Sequence, residues 1–384
     1  MNPTKQTHKK DSKSNILAHT QAKLDLYIKY LEKYLRILGY ADFCKQINIF
    51  DLFCGEGLYQ DGKKGSALLT IECINDVKAE LLQSNKIKPI KLLLNDHKEK
   101  KIENLKSIID VDYQENDFIE IFNEDFDEIL RIVTSKLSKF PFDNRNLIFI
   151  DPFGYKKINK ENLENLLINE ATEIILFLPI HQMYRFAEHT LKEFEKANIE
   201  SLYNFIKSFF CNPNDIKTEN PFVFIQSIKE ALSMNNKYFS CSYYITRKKG
   251  NYYALFFICK NIYGLEKMIE TKWNLDPGKG KGFDKSSNDQ LPFIIEDIEE
   301  ENYLYQLKHL QEIIFKAILD NTYHNNVNLY ELVLKNEFLP KHANIALKNL
   351  IKSQKITLIN KTKDFGINYN NYKYNTIVSE FKIL

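Results

Sequence analysis

The stretch Ile47-Asn48-Ile49-Phe50-Asp51-Leu52-Phe53-Cys54-Gly55-Glu56-Gly57 constrains the fold of this 384-residue chain more than any other. An apolar, β-prone run ends in an aspartate, and a Gly-x-Gly turn follows at once, which is how a buried parallel strand passes into a ligand-facing loop. Gly55 and Gly57 remove the Cβ atoms that would hold a ligand off the backbone, and Asp51 can accept hydrogen bonds from a cationic or hydroxylated group. The same pattern serves an ordinary strand-to-loop turn, so the rest of the chain has to decide between the two.

The device recurs downstream. Ile90 to Asp96 is a second apolar run ending in an acid, and Asp96 reads either as an acceptor for ligand hydroxyls or as a solvated acid after a strand. Val111 to Asp117 reads as a short third strand, with Asp117 and Phe118 at its end. Leu147 to Ile150 is a fourth strand, running into Asp151-Pro152-Phe153-Gly154-Tyr155, and Glu173 to Ile180 is a fifth. Tyr238 to Thr246 and Tyr252 to Cys259 flank a turn-forming segment and predict a hairpin. Ahead of the first strand, apolar residues from Leu24 to Leu38 recur at three- and four-residue steps, an amphipathic helix over Ala18 to Leu38 that Gly39 should stop. Strands alternating with helices and closed by a hairpin predict an α/β, doubly wound, Rossmann-like sheet.

An apolar share of 44% allows a sizeable core, and the length favours two domains over one. No run of about 18 uncharged apolar residues occurs and the first residues are polar, so we expect no membrane span, no secretory signal and a cytoplasmic protein. The six cysteines are scattered without metal-ligand spacing, which predicts reduced thiols and no metal site. A net charge of +2 confines any nucleic-acid surface to a local patch. The expected organisation is a basic mobile arm over 1–17, an α/β domain over 18–273, a Gly/Lys/Ser-rich and then acidic linker over 274–301, and an α+β domain over 302–384. Three short helices with a two-stranded wing make that last part winged-helix-like. Its third helix carries Lys341, His342, Lys348 and Lys352, which read as nucleic-acid contacts or as a solvated face.

Two resemblances follow from these motifs. Asp51, Phe53, Gly55 and Gly57, then Asp96, Asp117 with Phe118, and Asp151-Pro152-Phe153 resemble motifs I to IV of class I S-adenosylmethionine-dependent methyltransferases. His19-Thr20-x-x-Lys23 with Tyr30-Leu31, Asp51 to Gly57, Gly65-Ser66, Phe149 to Gly154, and Gly264-Leu265-x-x-Met268 with Trp273 resemble, in order, the three-Cys-motif partner protein (TcmP) family. The resemblance implies that Asp51, Phe53, Gly55 and Gly57 hold the methionine half of S-adenosylmethionine, Asp96 its ribose, and Asp117 with Phe118 its adenine. It implies methyl transfer, with nucleic acid as the expected substrate, at Asp151, Pro152, Phe153 and Tyr155. The Asp-Pro-Pro-aromatic motif of amino-methyltransferases is altered here, because Phe153 replaces the second proline and Gly154 the aromatic, leaving Phe153 or Tyr155 to stack on a base. His181, just past the fifth strand, is a further proton acceptor or a core histidine. The alternative function is a non-catalytic, cofactor-binding adaptor. The family's association implies a three-Cys-motif, phage-related protein as partner.

Overall fold

The computed structural model describes residues 16–384 except 114–117, 153, 155–156, 182, 186–199, 211–215, 248–250, 285–291 and 361–363. The expected basic arm therefore lies almost wholly outside the described residues. The chain divides into two compact units, Met1–Asp151 and Pro152–Leu384.

The first unit alternates helix and strand: α1 (Ala18–Tyr40), β1 (Gln46–Asp51), α2 (Ser66–Gln83), β2 (Ile90–Asn95), α3 (Glu99–Asp112), β3 (Ile119–Phe122), α4 (Phe126–Leu137) and β4 (Asn144–Ile150). Its strands lie in the order β3-β2-β1-β4 and are all parallel, with Asp51 opposite both Leu94 and Phe149. Parallel pairing brings the C-terminal ends of β1, β2 and β4 to one edge, and with them Asp51, Asp96 and Asp151. Apart from its first residue β1 is buried throughout, as a central parallel strand covered on both faces should be. Helix α1 buries Tyr27, Tyr30, Leu31 and Leu35, each contributing roughly 1.5–3 kcal/mol through lost apolar exposure. Tyr27 lies flat on Phe149 of β4 at 4.1 Å between ring centroids, and its hydroxyl meets Thr70 of α2 at 2.9 Å. That stacking fixes how α1 crosses the sheet.

Two expectations need correction here. Gly39 does not stop α1. A Cβ there would lie 2.7 Å from Leu81 of α2, so the glycine permits close packing of the two helices and α1 runs on to Tyr40. The third strand is not Val111 to Asp117, because α3 continues to Asp112 and β3 starts at Ile119.

The second unit contains α5 (Lys160–Leu166), β5 (Thr172–Leu178), α6 (Glu200–Phe209), α7 (Pro221–Leu232), β6 (Phe239–Arg247), β7 (Asn251–Cys259), α8 (Ile262–Leu275) and β8 (Gly282–Asp284). These are followed by α9 (Pro292–Leu319), α10 (Asn326–Lys335), α11 (Pro340–Lys352), β9 (Ile356–Leu358), α12 (Tyr369–Lys373) and β10 (Phe381–Ile383). The strands order as β5-β7-β6-β8, with β7 antiparallel to both neighbours and β8 parallel to β6. The predicted β6/β7 hairpin is present. With the parallel β3-β2-β1-β4 set and its helical crossovers, this gives the expected α/β class of a doubly wound sheet with a closing hairpin.

Within the expected linker, the described residues up to Asp284 are tied into the unit. The Asp276 carboxylate accepts from the backbone N–H groups of Lys279, Lys281 and Gly282, turning the chain so that Gly282–Asp284 can pair with β6. Beyond it, α9, α10 and α11 and the antiparallel β9/β10 pair follow in the expected sequence. They are not set apart from the strands of their unit. Glu337, between α10 and α11, forms ion pairs with Lys272 of α8 and with Lys229 of α7, and its carbonyl accepts from the Trp273 indole at 2.9 Å. Lys272 has no solvent exposure, and burial alone would push the Glu337 carboxyl up, but the two lysines hold it down at about 2.

Candidate functional site

The C-terminal edge of the first unit gathers the chemistry. As β1 ends, the chain turns out through Leu52 and Phe53, and Cys54 N–H donates to the Asn95 carbonyl at the end of β2 at 2.8 Å. The turn needs positive φ at Gly55 (+73°) and Gly57 (+88°), and the two glycines do different work there. A Cβ on Gly57 would press on Leu105 at 3.0 Å, so that glycine seats the loop on α3. A Cβ on Gly55 would meet nothing within 4 Å, so the space above Gly55 is open. Phe53 stacks on Phe126 at 5.4 Å, which ties the loop to the start of α4.

Asp51 is fully buried at this edge. Its Oδ1 accepts from Phe53 N–H at 3.2 Å, while Oδ2 is buried with no hydrogen-bond partner among the described residues. Burial raises its carboxyl to about 7, against the pull of the neighbouring Ser66 hydroxyl and Phe53 N–H, and the nearby Asp151 pushes it the same way as burial. A buried carboxylate oxygen with no hydrogen-bond partner among the described residues thus lies beside an open glycine, an arrangement able to receive a cationic or hydrogen-bonding group.

Asp151, just past β4, forms an ion pair with Lys23 of α1, and the lysine is more enclosed (9% side-chain exposure) than the aspartate (24%). Burial pulls the Lys23 ammonium down, but Asp151, with Tyr59 and Asp51 further off, holds it above its ordinary value. Tyr59 remains a neutral phenol, since burial raises it. Asp51, Tyr59, Lys23 and Asp151 thus form one electrostatic cluster.

Asp96 lies where expected, just past β2. It is fully buried, with Oδ1 accepting from Lys98 N–H at 2.9 Å and Oδ2 from Lys101 Nζ at 3.0 Å. The pair expected for adenine does not reach this edge: Asp117 lies outside the described residues, and Phe118 immediately precedes β3, at the opposite end of the parallel strands, with Lys78 Nζ 3.6 Å above its ring. In its place stand Asn123 and Glu124, at the C-terminal end of β3. Asn123 donates to the Asp96 carbonyl at 2.8 Å, and Asn95 Oδ1 accepts from Glu124 N–H at 2.9 Å. The acid after the strand was the signal, visible once the strand is placed correctly. Lys23 gave a signal in its helical phase, four residues before buried Tyr27.

No protein-family model matches the sequence, and no curated protein matches it. Among solved structures, a Legionella pneumophila protein assigned to DUF519 aligns over 67% of this chain and 92% of its own, at 15% identity and a TM-score of 0.40. A Bacillus cereus O-methyltransferase in complex with S-adenosylhomocysteine aligns over 60% of this chain and 80% of its own, at 15% identity and a TM-score of 0.32. A Streptomyces achromogenes O-methyltransferase in complex with S-adenosylmethionine aligns over 64% and 92%, at 10% identity and a TM-score of 0.35. At this level of similarity the chemistry of the site rests on its own residues.

The remaining candidates belong to the second unit. Pro152 is half-buried at its start, while Phe153 and Tyr155 lie outside the described residues. His181 follows β5 with Nδ1 3.3 Å from the Tyr252 carbonyl; a carbonyl only accepts, so Nδ1 carries the proton and Nε2 is the accepting nitrogen. Burial lowers its pKa and keeps the ring neutral. On α11, Lys341, Lys348 and Lys352 are exposed at steps of seven and four residues, on one face. His342 is not part of that face. It is fully buried, its ring 4.3 Å from that of Trp273 and its Nδ1 accepting from Leu339 N–H, and burial holds it near 3. It is therefore a neutral packing residue and no nucleic-acid contact. Among the described residues no helix is long and apolar enough to cross a membrane.

Proposed function

We propose that this chain is a methyltransferase that binds S-adenosylmethionine over the β1 loop, acts on nucleic acid and belongs with the three-Cys-motif partner proteins. The observation that carries the reading is the unpartnered, buried Asp51 Oδ2 beside the open space above Gly55. These residues fit the cofactor. Asp51 would hold the methionine ammonium, the Gly55 backbone would lie against the ligand, Asp96 would reach the ribose, and Asn123 and Glu124 would border the adenine. When bound, the cofactor supplies an electrophilic methyl group. Asp151 orients the acceptor and takes up or offsets charge, acting through preorganised electrostatics. Lys341, Lys348 and Lys352 on the exposed face of α11 support a winged-helix surface that meets phosphates.

A non-catalytic partner that binds the cofactor is the second reading, favoured by the ion pair that already occupies Asp151. Calorimetry with S-adenosylmethionine, S-adenosylhomocysteine and NAD tests the cofactor. Binding of the first two and not of NAD is expected, and Gly55→Val should weaken it at least tenfold, about 1.4 kcal/mol. Unchanged binding by Gly55→Val would remove the β1 loop from the site. Cofactor binding without transfer to any nucleic acid would leave the adaptor reading.

A further inference from the structure

The side chain that faces Asp151 bears on which atom receives the methyl group. Lys23 projects from the buried side of α1, is 7% exposed, and spends its ammonium on Asp151 Oδ2, leaving Oδ1 as the carboxylate's other acceptor. Asp51 and Tyr59 stand near the pair, and burial keeps Tyr59 neutral. The charge next to the acceptor is therefore a paired ammonium and carboxylate, not a bare carboxylate.

Two acceptor chemistries make opposite demands on such a pair. An amine nitrogen gains positive charge as it takes the methyl group, and it brings two hydrogens that want two acceptors. A fixed ammonium beside it opposes the first, and the engagement of Oδ2 restricts the second. A hydroxyl oxygen brings one hydrogen and must give it up, so negative charge grows on the oxygen. A neighbouring ammonium favours that charge, and a single free carboxylate oxygen suffices for the proton.

We propose that the acceptor is a hydroxyl oxygen and, on a nucleic acid, the ribose 2′-hydroxyl of RNA, since an internal DNA nucleotide has no free hydroxyl. The inference rests on the cofactor reading above. The hydroxyl oxygen forms the new carbon–oxygen bond with its lone pair, the electrons of the breaking methyl–sulfur bond stay on sulfur, which leaves as a neutral thioether, and the hydroxyl proton passes to Asp151 Oδ1 and on to water. Lys23 acts as a positioning residue, holding the Asp151 carboxylate by their ion pair and supplying the positive charge.

Sinefungin, which carries an ammonium where the cofactor carries its reactive methyl, reads that charge balance without any substrate. Calorimetry of the full chain should give sinefungin and S-adenosylhomocysteine affinities within about threefold of each other, because Lys23 already answers Asp151. Lys23→Met should favour sinefungin at least tenfold, about 1.4 kcal/mol; Lys23→Arg should restore parity, and Asp151→Asn added to Lys23→Met should abolish the preference. A parent that itself prefers sinefungin tenfold, with the preference lost in Asp151→Asn alone, would show a carboxylate free to serve an amine and overturn the proposal. In parallel, bulk RNA and bulk DNA are incubated with labelled S-adenosylmethionine and digested to nucleosides. Label in 2′-O-methylnucleosides is expected. Label in methylated bases or in DNA, or none in RNA, overturns the proposal, whereas failure of both analogues to bind the parent removes the cofactor reading beneath it.

Discussion

Among the lysine–carboxylate contacts of the described residues, one in each unit repays comparison, because the two are built to opposite ends. In the second unit Glu337 answers both Lys272 and Lys229, Lys272 has no exposure, and the carboxylate is held near 2. The carboxylate faces both ammonium groups from inside an enclosed site, and it joins α7 and α8 to the turn between α10 and α11. In the first unit Lys23 is enclosed, but its partner Asp151 is partly open, and next to the pair stands Asp51 with an oxygen that has no hydrogen-bond partner among the described residues. A closed pair serves cohesion. An open pair beside an unsatisfied acid is incomplete without a ligand, which is why chemistry is assigned to the first and not to the second.

The contrast can be broken most directly at Glu337. Glu337→Gln leaves two buried ammonium groups without a counter-charge and should destabilise the protein by about 3–5 kcal/mol, measured by urea denaturation. A loss under about 1 kcal/mol would rank the triad with surface ion pairs. Asp151→Asn should lower kcat on the order of 10², about 2.7 kcal/mol, while cofactor affinity by calorimetry stays within about threefold. An equal loss in cofactor affinity would make Asp151 a cofactor ligand instead.

Asp51 makes the open site sensitive to pH. Its folded carboxyl is raised to about 7, so the folded state holds the proton more tightly than the unfolded chain, and stability from this group is present in acid and lost as pH rises through about 7. On the proposed reading cofactor binding runs the other way, since only the ionised carboxylate would attract the methionine ammonium. S-adenosylhomocysteine affinity should therefore fall by up to tenfold per pH unit below about 7, and Asp51→Asn should flatten that slope. A parent whose affinity is level from pH 5 to 8 would place the ammonium elsewhere. Smallest is the stability change in Lys23→Met, roughly 1–2 kcal/mol, because partly open Asp151 can turn to water where Glu337's lysines cannot. A larger loss in a thermal melt would make both pairs structural and erase the distinction.

The parallel strands were legible because burial on both faces writes an apolar run into the sequence. β3 lacks that run: only half-buried, with Glu120 in its middle, it gave no pattern strong enough to fix its start, and the adenine assignment moved with it. β8 is three residues long and owes its place to the Asp276 carboxylate, which no periodicity announces. His342 beside Lys341 looked basic, yet its phase with Ala346 puts it on the inner face of α11. In the site, Asp51, Asp96 and Asp151 were visible as acids after strands. The partner of Lys23 was not, since the two residues are separated by 128 positions and meet only through the stacking of α1 on β4.

That separation also sets a timetable for synthesis. Helix α1 leaves the ribosome first, and at about 5–20 residues per second Lys23 precedes Asp151 by on the order of ten seconds. Through that interval the lysine has no carboxylate to meet, and its helix has no Phe149 ring to lie on. The nascent helix can meet α2 earlier, through Gly39 against Leu81 and Tyr27 on Thr70, but the Lys23–Asp151 pair can close only once β4 has emerged beside β1, late in assembly of the first unit.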